Sequence, residues 1–265
     1  MPVRSCVQPC LCARGNSLKT KKKSRAASGE KPSPAKSSEN GIGVLNERSL
    51  HASLKEWYAE PGDVAEVKLD GYVIDLVRGE RLIEFQTRNF SSIGRKLRTL
   101  VETYDLRLVH PVSQEKWIVR VDSSGEKVLS RRKSPRRGRL TDVFDELVRI
   151  PDLVNSPGFT LEVVLIQEEE VRCDDGKGSW RRKGVSITDR KLLEVVEQAE
   201  FKTSSDFLRF LPDSLKDPFT NRELHSAADV PMHRAQKMTY CLRKMNAIRQ
   251  VGKKGNAHLY ERALG

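Results

Sequence analysis

The sequence predicts an α/β fold: a mixed sheet with flanking helices in the order α-β-β-β-α-β, plus a C-terminal winged-helix domain. Three observations predict it. "GVLNERSLHASLKEWYAE" (43–60) repeats apolar residues at helical spacing. Three short runs rich in Val, Ile and Leu follow before residue 88. The last sixty residues read as three helices and a basic ribbon.

The first helix puts Leu50, Leu54 and Trp57 on one stripe, with Glu47 three residues before Leu50, and ends at Pro61-Gly62. "DVAEVKLDGY", "YVIDLVRG" and "RLIEFQTR" are the strand candidates. "SSIGRKLRTLVETY" reads as a helix with Ser91 or Ser92 as N-cap, and "DLRLVHPV" as a strand stopped at Pro111. "KWIVRVD" and "EKVLSRR" suit a hairpin, "SRRKSPRRGR" (130–139) an exposed basic loop, and "RLTDVFDELVRI" a helix. "FTLEVVLIQEEEVRC" is a strand and "DDGKGSWRRKG" (174–184) a second basic hairpin. "SITDRKLLEVVEQAE" opens on a Ser/Thr cap signal and reads as helical.

"SSDFLRFLP", "TNRELHSAADV" and "MHRAQKMTYCLRKMNAI" then give three helices, the second opened by a Thr220–Glu223 capping box. "RQVGKKGNAHLYER" gives a ribbon with "GKKGN" at its tip. The expected organisation is a disordered basic tail (1–42), an α/β domain (43–185), a connecting helix (186–202) and a winged helix-turn-helix domain (203–265).

The 265 residues carry a net charge of +12, with 37% hydrophobic and 32% charged content. Residues 1–42 contribute +7 and residues 221–265 contribute +6, so the middle is near neutral. Charge gathered at the two ends suits a polyanion, although charge runs are often merely solvated. No run approaches the roughly 18 apolar residues of a membrane span, and the N-terminus lacks a secretory h-region. No membrane partner is expected, and a cytoplasmic location is the default. Five cysteines without a signal argue against a disulfide framework; Cys6, Cys10 and Cys12 lack a fourth metal ligand nearby. "GKGS" and "GKKGN" lack P-loop spacing. His51, His110, His225, His233 and His258 are scattered, which suits packing or surface positions.

The chemistry concentrates in "GYVIDLVRGERLIEFQTRNF" (71–90), which sets Asp75, Glu84 and Gln86 inside apolar runs. A two-residue turn at Gly79-Glu80, with Gly permitting type II′, pairs 78 with 81, 77 with 82, 76 with 83 and 75 with 84. Asp75 and Glu84 then lie opposite each other, and like charges so placed destabilise a sheet unless neutralised. A divalent cation would neutralise them, and oxygen ligands suit Mg²⁺ or Mn²⁺. The alternative is a solvated face where these acids pair with Arg78 and Arg88. Period-two alternation puts Gln86 on the face of Glu84. Arg88, Arg95, Lys96 and Arg98 follow, with no acid between residues 85 and 101.

These residues and this order of elements resemble the PD-(D/E)XK nuclease superfamily, whose fold is restriction-endonuclease-like. The resemblance covers about seventy residues (43–112). It implies Asp75 as the first acidic position, Glu84 as the second, and Gln86 where lysine is usual. Glu47 matches the helix glutamate of many members. It further implies that Asp75, Glu84 and the Phe85 carbonyl hold Mg²⁺ or Mn²⁺, that Gln86 positions water, and that Lys96 or Arg88 compensates for the missing lysine. Arg88, Arg95 and Lys96 would grip DNA phosphates. In the winged-helix reading His233, Arg234, Gln236 and Lys237 supply base contacts, and Lys253, Lys254 and Asn256 phosphate contacts.

The expected function is metal-dependent hydrolysis of DNA phosphodiester bonds, with the winged helix aiding DNA binding. The alternative is a catalytically inactive DNA-binding or regulatory protein on a nuclease-like scaffold, which the Gln86 departure favours. A double-strand cut would favour a homodimer.

Overall fold

A seven-stranded mixed sheet carries two helices on opposite faces, with short apolar runs and tight turns building its first three strands. The computed structural model describes residues 42–263, with side chains from residue 49. The basic tail with Cys6, Cys10 and Cys12, and the Glu47 side chain, lie outside the described residues. Helix α1 (Ile42–Tyr58) leads into β1 (Val64–Leu69), β2 (Tyr72–Arg78) and β3 (Arg81–Phe85). After α2 (Phe90–Val101) come β4 (Asp105–Val121) and β5 (Val128–Lys133). A 3-10 turn (Leu140–Val143) and the short α3 (Phe144–Leu147) precede β6 (Phe159–Cys173) and β7 (Ser186–Phe201). A 3-10 helix (Ser204–Phe210), α4 (Asn221–Ala227), α5 (Met232–Lys244), β8 (Ile248–Lys254) and β9 (Ala257–Arg262) complete the chain.

The strand order is β1-β2-β3-β4-β6-β7, and β5 pairs with the far half of β4. Strands β1 to β3 form an antiparallel meander, β3, β4 and β6 run parallel, and β7 returns antiparallel. Three of the four expected β2–β3 pairs occur, Arg78↔Arg81, Val77↔Leu82 and Leu76↔Ile83, and the Asp75–Glu84 pair does not. Gly79 takes φ +58° in the turn, a conformation that costs glycine little.

Leu50 and Leu54 of α1 pack on Leu76, Ile83, Phe85, Val109, Val164 and Ile166. Tyr58, four residues after Leu54, completes this stripe. Trp57, expected there, is 43% exposed at the last turn of the helix. On the other face Phe90, Leu97 and Leu100 of α2 join Ile74, Leu82, Leu106 and Leu108. That core continues without a break into Phe207, Phe210, Leu224, Met238, Leu242 and Tyr260. Phe201 stacks on Phe210 at 5.3 Å, and Phe144 meets Phe210 edge-on at 5.0 Å.

Three local expectations are corrected. The strand expected to stop at Pro111 runs on as β4 to Val121, with Pro111 opposite Val164. In place of the helix expected over 186–202, Ser186–Phe201 is an edge strand paired with β6. The register slips three times, each slip adding one residue to β7. Leu192 and Val195 therefore face the same core at a spacing of three, which mimics helical periodicity. The cap of α2 is Asn89 at φ +60°, not Ser91 or Ser92. Both serines lie inside the helix, which starts at Phe90, and Glu146 accepts the Phe90 N–H at 3.1 Å. The Thr220–Glu223 capping box is present.

Because one core joins the sheet to the C-terminal helices, the described chain should unfold in a single transition. Phe207→Ala should lower the unfolding free energy by about 3–5 kcal/mol, the usual cost of emptying a buried Phe site. Urea denaturation followed by far-UV circular dichroism and by tryptophan fluorescence checks this. Two separated transitions would contradict it.

Candidate active site

The β2–β3 ladder opens just past Leu76↔Ile83, and there both carboxylates sit. Regular pairing would carry the Phe85 N–H to the Ile74 carbonyl. The Asp75 carboxylate takes that N–H instead, Oδ2 accepting at 2.9 Å. Glu84 Oε1 in turn accepts the Asp75 N–H at 3.4 Å. On the other side of β2 the Glu66–Asp75 pair is missing from the register, and Glu66 takes φ +55°. The alternation slips at this point: Ile74 belongs to the core under α2, while Leu76 belongs to the core under α1. Asp75 thereby turns toward α1, and Glu84 toward α2.

Each acid meets a cation from its own helix. His51 Nε2 lies 3.1 Å from Asp75 Oδ2, and Lys55 Nζ lies 3.9 Å from Oδ1. Burial works to raise the Asp75 pKa, but His51, the Phe85 N–H and Lys55 together hold it below the usual carboxylate value. Burial lowers the His51 pKa, and Asp75 more than reverses this, so the imidazole is raised. Lys96 Nζ sits 2.5 Å from Glu84 Oε1 and donates to the Val73 carbonyl at 2.6 Å. Glu84 is only 4% exposed. Burial, with the Asp75 charge beside it, pushes its pKa up to about 7, and Lys96 offsets only part of this.

Gln86 lies just past the end of β3. Its Nε2 donates to the carbonyls of Arg88 and Asn89 and to Ser92 Oγ, which ties the amide into the β3–α2 turn. Its backbone N–H reaches the Val109 carbonyl at 3.0 Å, and its own carbonyl meets His110 Nδ1 at 2.7 Å. The Phe85 ring is buried against His51 and Tyr58. Arg88 and Arg95 are exposed, whereas Lys96, expected to face phosphate, is engaged by Glu84. Arg78 turns away from Asp75 to Asp63 and Glu60. Sequence reasoning passed over His51 and Lys55. Their i, i+4 spacing beside Leu54 was the available signal.

The second expected cluster divides. His233 and Gln236 are exposed at the start of α5, and Lys253 and Lys254 are exposed on the β8–β9 ribbon, next to the turn residue Asn256. Arg234 is 8% exposed and cannot reach a base. It falls on the buried stripe of α5 with Ala235, Met238, Cys241 and Leu242. Its guanidinium bonds Asp142 at 2.6 Å and Asp145 at 2.7 Å, and Lys237 shares Asp145 at 2.7 Å. Burial works to raise Asp145, and the two cations more than offset it, so its pKa is lowered. A cleft of about 680 Å³ lies between this contact, Arg136, Arg137 and Arg139, and the α4–α5 turn.

Among the described residues no group of three or more His, Cys, Asp or Glu side chains is placed to hold a metal. The donors at the open ladder are therefore two carboxylates and backbone carbonyl oxygen. No described helix is long and apolar enough to cross a membrane.

A protein of Treponema pallidum (strain Nichols), described as uncharacterized, is 29% identical over 222 residues, which cover 83% of this chain and 87% of that protein. No solved structure matches. The family model described as "Domain of unknown function (DUF8091)" matches residues 48–202, a span that holds both carboxylates, His51 and Lys96. That span is more than half of the chain, and the chain belongs to this family.

Proposed function

We propose that this protein is a metal-dependent nuclease that hydrolyses DNA phosphodiester bonds, with the C-terminal helices and ribbon aiding DNA binding. The observation that carries the reading is the opened β2–β3 ladder, with two desolvated carboxylates and Lys96 gathered at one point. The strand order, with β2 antiparallel and β3, β4 and β6 parallel, and with α1 and α2 on opposite faces, supports a restriction-endonuclease-like fold. The Phe219↔Tyr260 bridge, α4, α5 and the β8–β9 ribbon support a winged helix.

The residues fit a hard divalent cation. Asp75, Glu84 and the Phe85 carbonyl offer only oxygen, and burial first, then the Asp75 charge, raises the pKa of Glu84 by more than Lys96 offsets. These residues would hold Mg²⁺ or Mn²⁺, which when bound lowers the pKa of a water and stabilises charge on the phosphoryl group. Lys96 supplies the fixed positive charge that Gln86 lacks, reaching Glu84 from α2 rather than from β3. Gln86 holds the β3–α2 turn, and so sets where α2 and Lys96 lie. His51 and Lys55 keep Asp75 ionised.

A second reading has its own support. Both carboxylates already have cationic partners, which suits a DNA-binding scaffold without catalysis.

Cleavage of labelled double- and single-stranded DNA with Mg²⁺, Mn²⁺ or EDTA separates the two. The nuclease should cut only with metal, and Asp75→Ala or Glu84→Ala should abolish cutting. Lys96→Ala should slow it about 10²- to 10³-fold, as loss of one preorganised charge does. DNA binding without cutting under every condition leaves the scaffold reading.

The electrostatics give a separate check. The folded Glu84 pKa of about 7 lies above its ordinary 4.5, so the folded state binds this proton more tightly. Its contribution to stability is full below pH 4.5 and is lost as pH rises through 7. The melting temperature of Glu84→Gln minus that of wild type should therefore rise between pH 4.5 and 7 and then level off. A flat difference would mean that Glu84 is not held in this buried pair.

A further inference from the structure

Beyond the candidate site, β4 runs twelve residues past Val109, the partner of Phe85, to Val121. Strands β6 and β7 accompany it, and β5 pairs with it on the side where β3 has ended. At about 3.3 Å per residue, this four-stranded arm reaches roughly 40 Å beyond β3. Its core is thin, made by Val119, Val121 and Cys173 with Val171 beside them.

At the tip, "DDGKGSWRRKGV" (174–185) joins β6 to β7 as a tightly built loop. Gly178 N–H donates to the Gly184 carbonyl at 2.8 Å, and a Cβ on Gly178 would lie 1.9 Å from Val185 O. Lys183 N–H closes on the Trp180 carbonyl at 3.0 Å. The outcome is a tryptophan held 83% exposed, where a side chain of this type is ordinarily mostly buried. Around it, the Arg181 guanidinium lies over one face of the indole at 5.6 Å, Lys177 and Lys183, like Arg181, make no ion pair among the described residues, and Arg182 donates to the Val185 carbonyl. The local acids are occupied: Asp174 faces Arg120 at 3.5 Å, and Asp175 accepts the Ser186 hydroxyl at 2.9 Å and the Lys177 N–H at 3.0 Å.

The geometry points to a binding site for single-stranded nucleic acid at this tip, with Trp180 stacking on an unpaired base through the face opposite Arg181 while Lys177, Arg181, Arg182 and Lys183 meet the phosphates. Uncompensated cations around one aromatic ring make the pattern by which single strands are held without sequence preference. A duplex covers its base faces, so an isolated indole finds its partner on an unpaired strand. An anionic membrane would be met by several apolar side chains, whereas the neighbours of Trp180 are Gly, Ser, Asp, Lys and Arg. The site is separate from the carboxylates and requires no cleavage. It rests on the nuclease reading only in so far as the substrate would carry an unpaired stretch about 40 Å from the cut.

The test is a titration of the full chain, in EDTA so that no cutting enters, with labelled oligothymidylate, a blunt duplex, and phosphatidylserine vesicles. Trp180→Ala should weaken oligothymidylate binding about fivefold to hundredfold, the range for one base–aromatic stack. Trp180→Phe should retain most of the affinity, and the blunt duplex should change by less than about twofold, since its base faces are covered. Replacing Arg181, Arg182 and Lys183 together with Ala should flatten the slope of log K against log salt by about 2, at roughly 0.7 per phosphate. Unchanged oligothymidylate binding by Trp180→Ala would overturn the proposal. So would an equal loss on the duplex, or Trp180-dependent binding to vesicles in place of oligothymidylate. Absence of cleavage in the Mg²⁺ assay would leave this site standing, so the two readings fail separately.

Discussion

Two carboxylates forced together where a hairpin opens set the terms for the rest of this structure. Asp75 and Glu84 each accept a backbone N–H from the opposite strand, which draws both acids inward instead of letting them splay into water. Desolvated negative charge of this kind needs cations close at hand. Each acid finds one on a different helix, His51 and Lys55 on α1 and Lys96 on α2. Electrostatics therefore tie both helices to the same point of the sheet that the apolar stripes of Leu50, Leu54, Leu97 and Leu100 fix by burial. Packing decides which face each helix covers. The charges decide its position along the strand.

The C-terminal segment is bound to this frame by a different kind of contact. Phe144, Phe201, Phe207 and Phe210 form an aromatic cluster under the sheet, with ring separations of 4.6 to 6.3 Å. Arg234 then anchors α5 to Asp142 and Asp145. Removing one partner of so buried a pair would leave an uncompensated charge, which is why the contact fixes orientation. The exposed residues His233 and Gln236 are held in a fixed relation to the sheet through a side chain that itself touches no solvent-side partner.

Much of the hairpin was legible because its signals are local. Gly79 beside Glu80 fixed the turn, and the turn fixed the register as far as Leu76 and Ile83; the opening of the ladder at Asp75 and Glu84 was not legible. The Thr220–Glu223 box was equally local. What could not be read depended on partners remote in sequence. Helical spacing in 186–201 was produced by three bulges that only the pairing with β6 reveals. Arg234 looked like a surface base on a basic helix, because Asp142 and Asp145 lie about ninety residues earlier. Lys96 looked like one more phosphate-facing cation until the fold set it against Glu84. Asn89 capped α2 in place of a serine because Glu146 supplied the acceptor from another element. His51 was the same kind of omission, a single histidine whose meaning came from Asp75, twenty-four residues away.

The bulges of β7 have a consequence for how these molecules behave toward one another. An edge strand offers a row of unpaired amides to any extended chain that arrives in register. Along β7 that row is interrupted three times, and its longest even stretch is the five residues Glu197–Phe201. A second strand laid beside it would lose step at each slip and gain few hydrogen bonds. The irregularity that disguises this segment as a helix also leaves this sixteen-residue edge a poor template for strand addition.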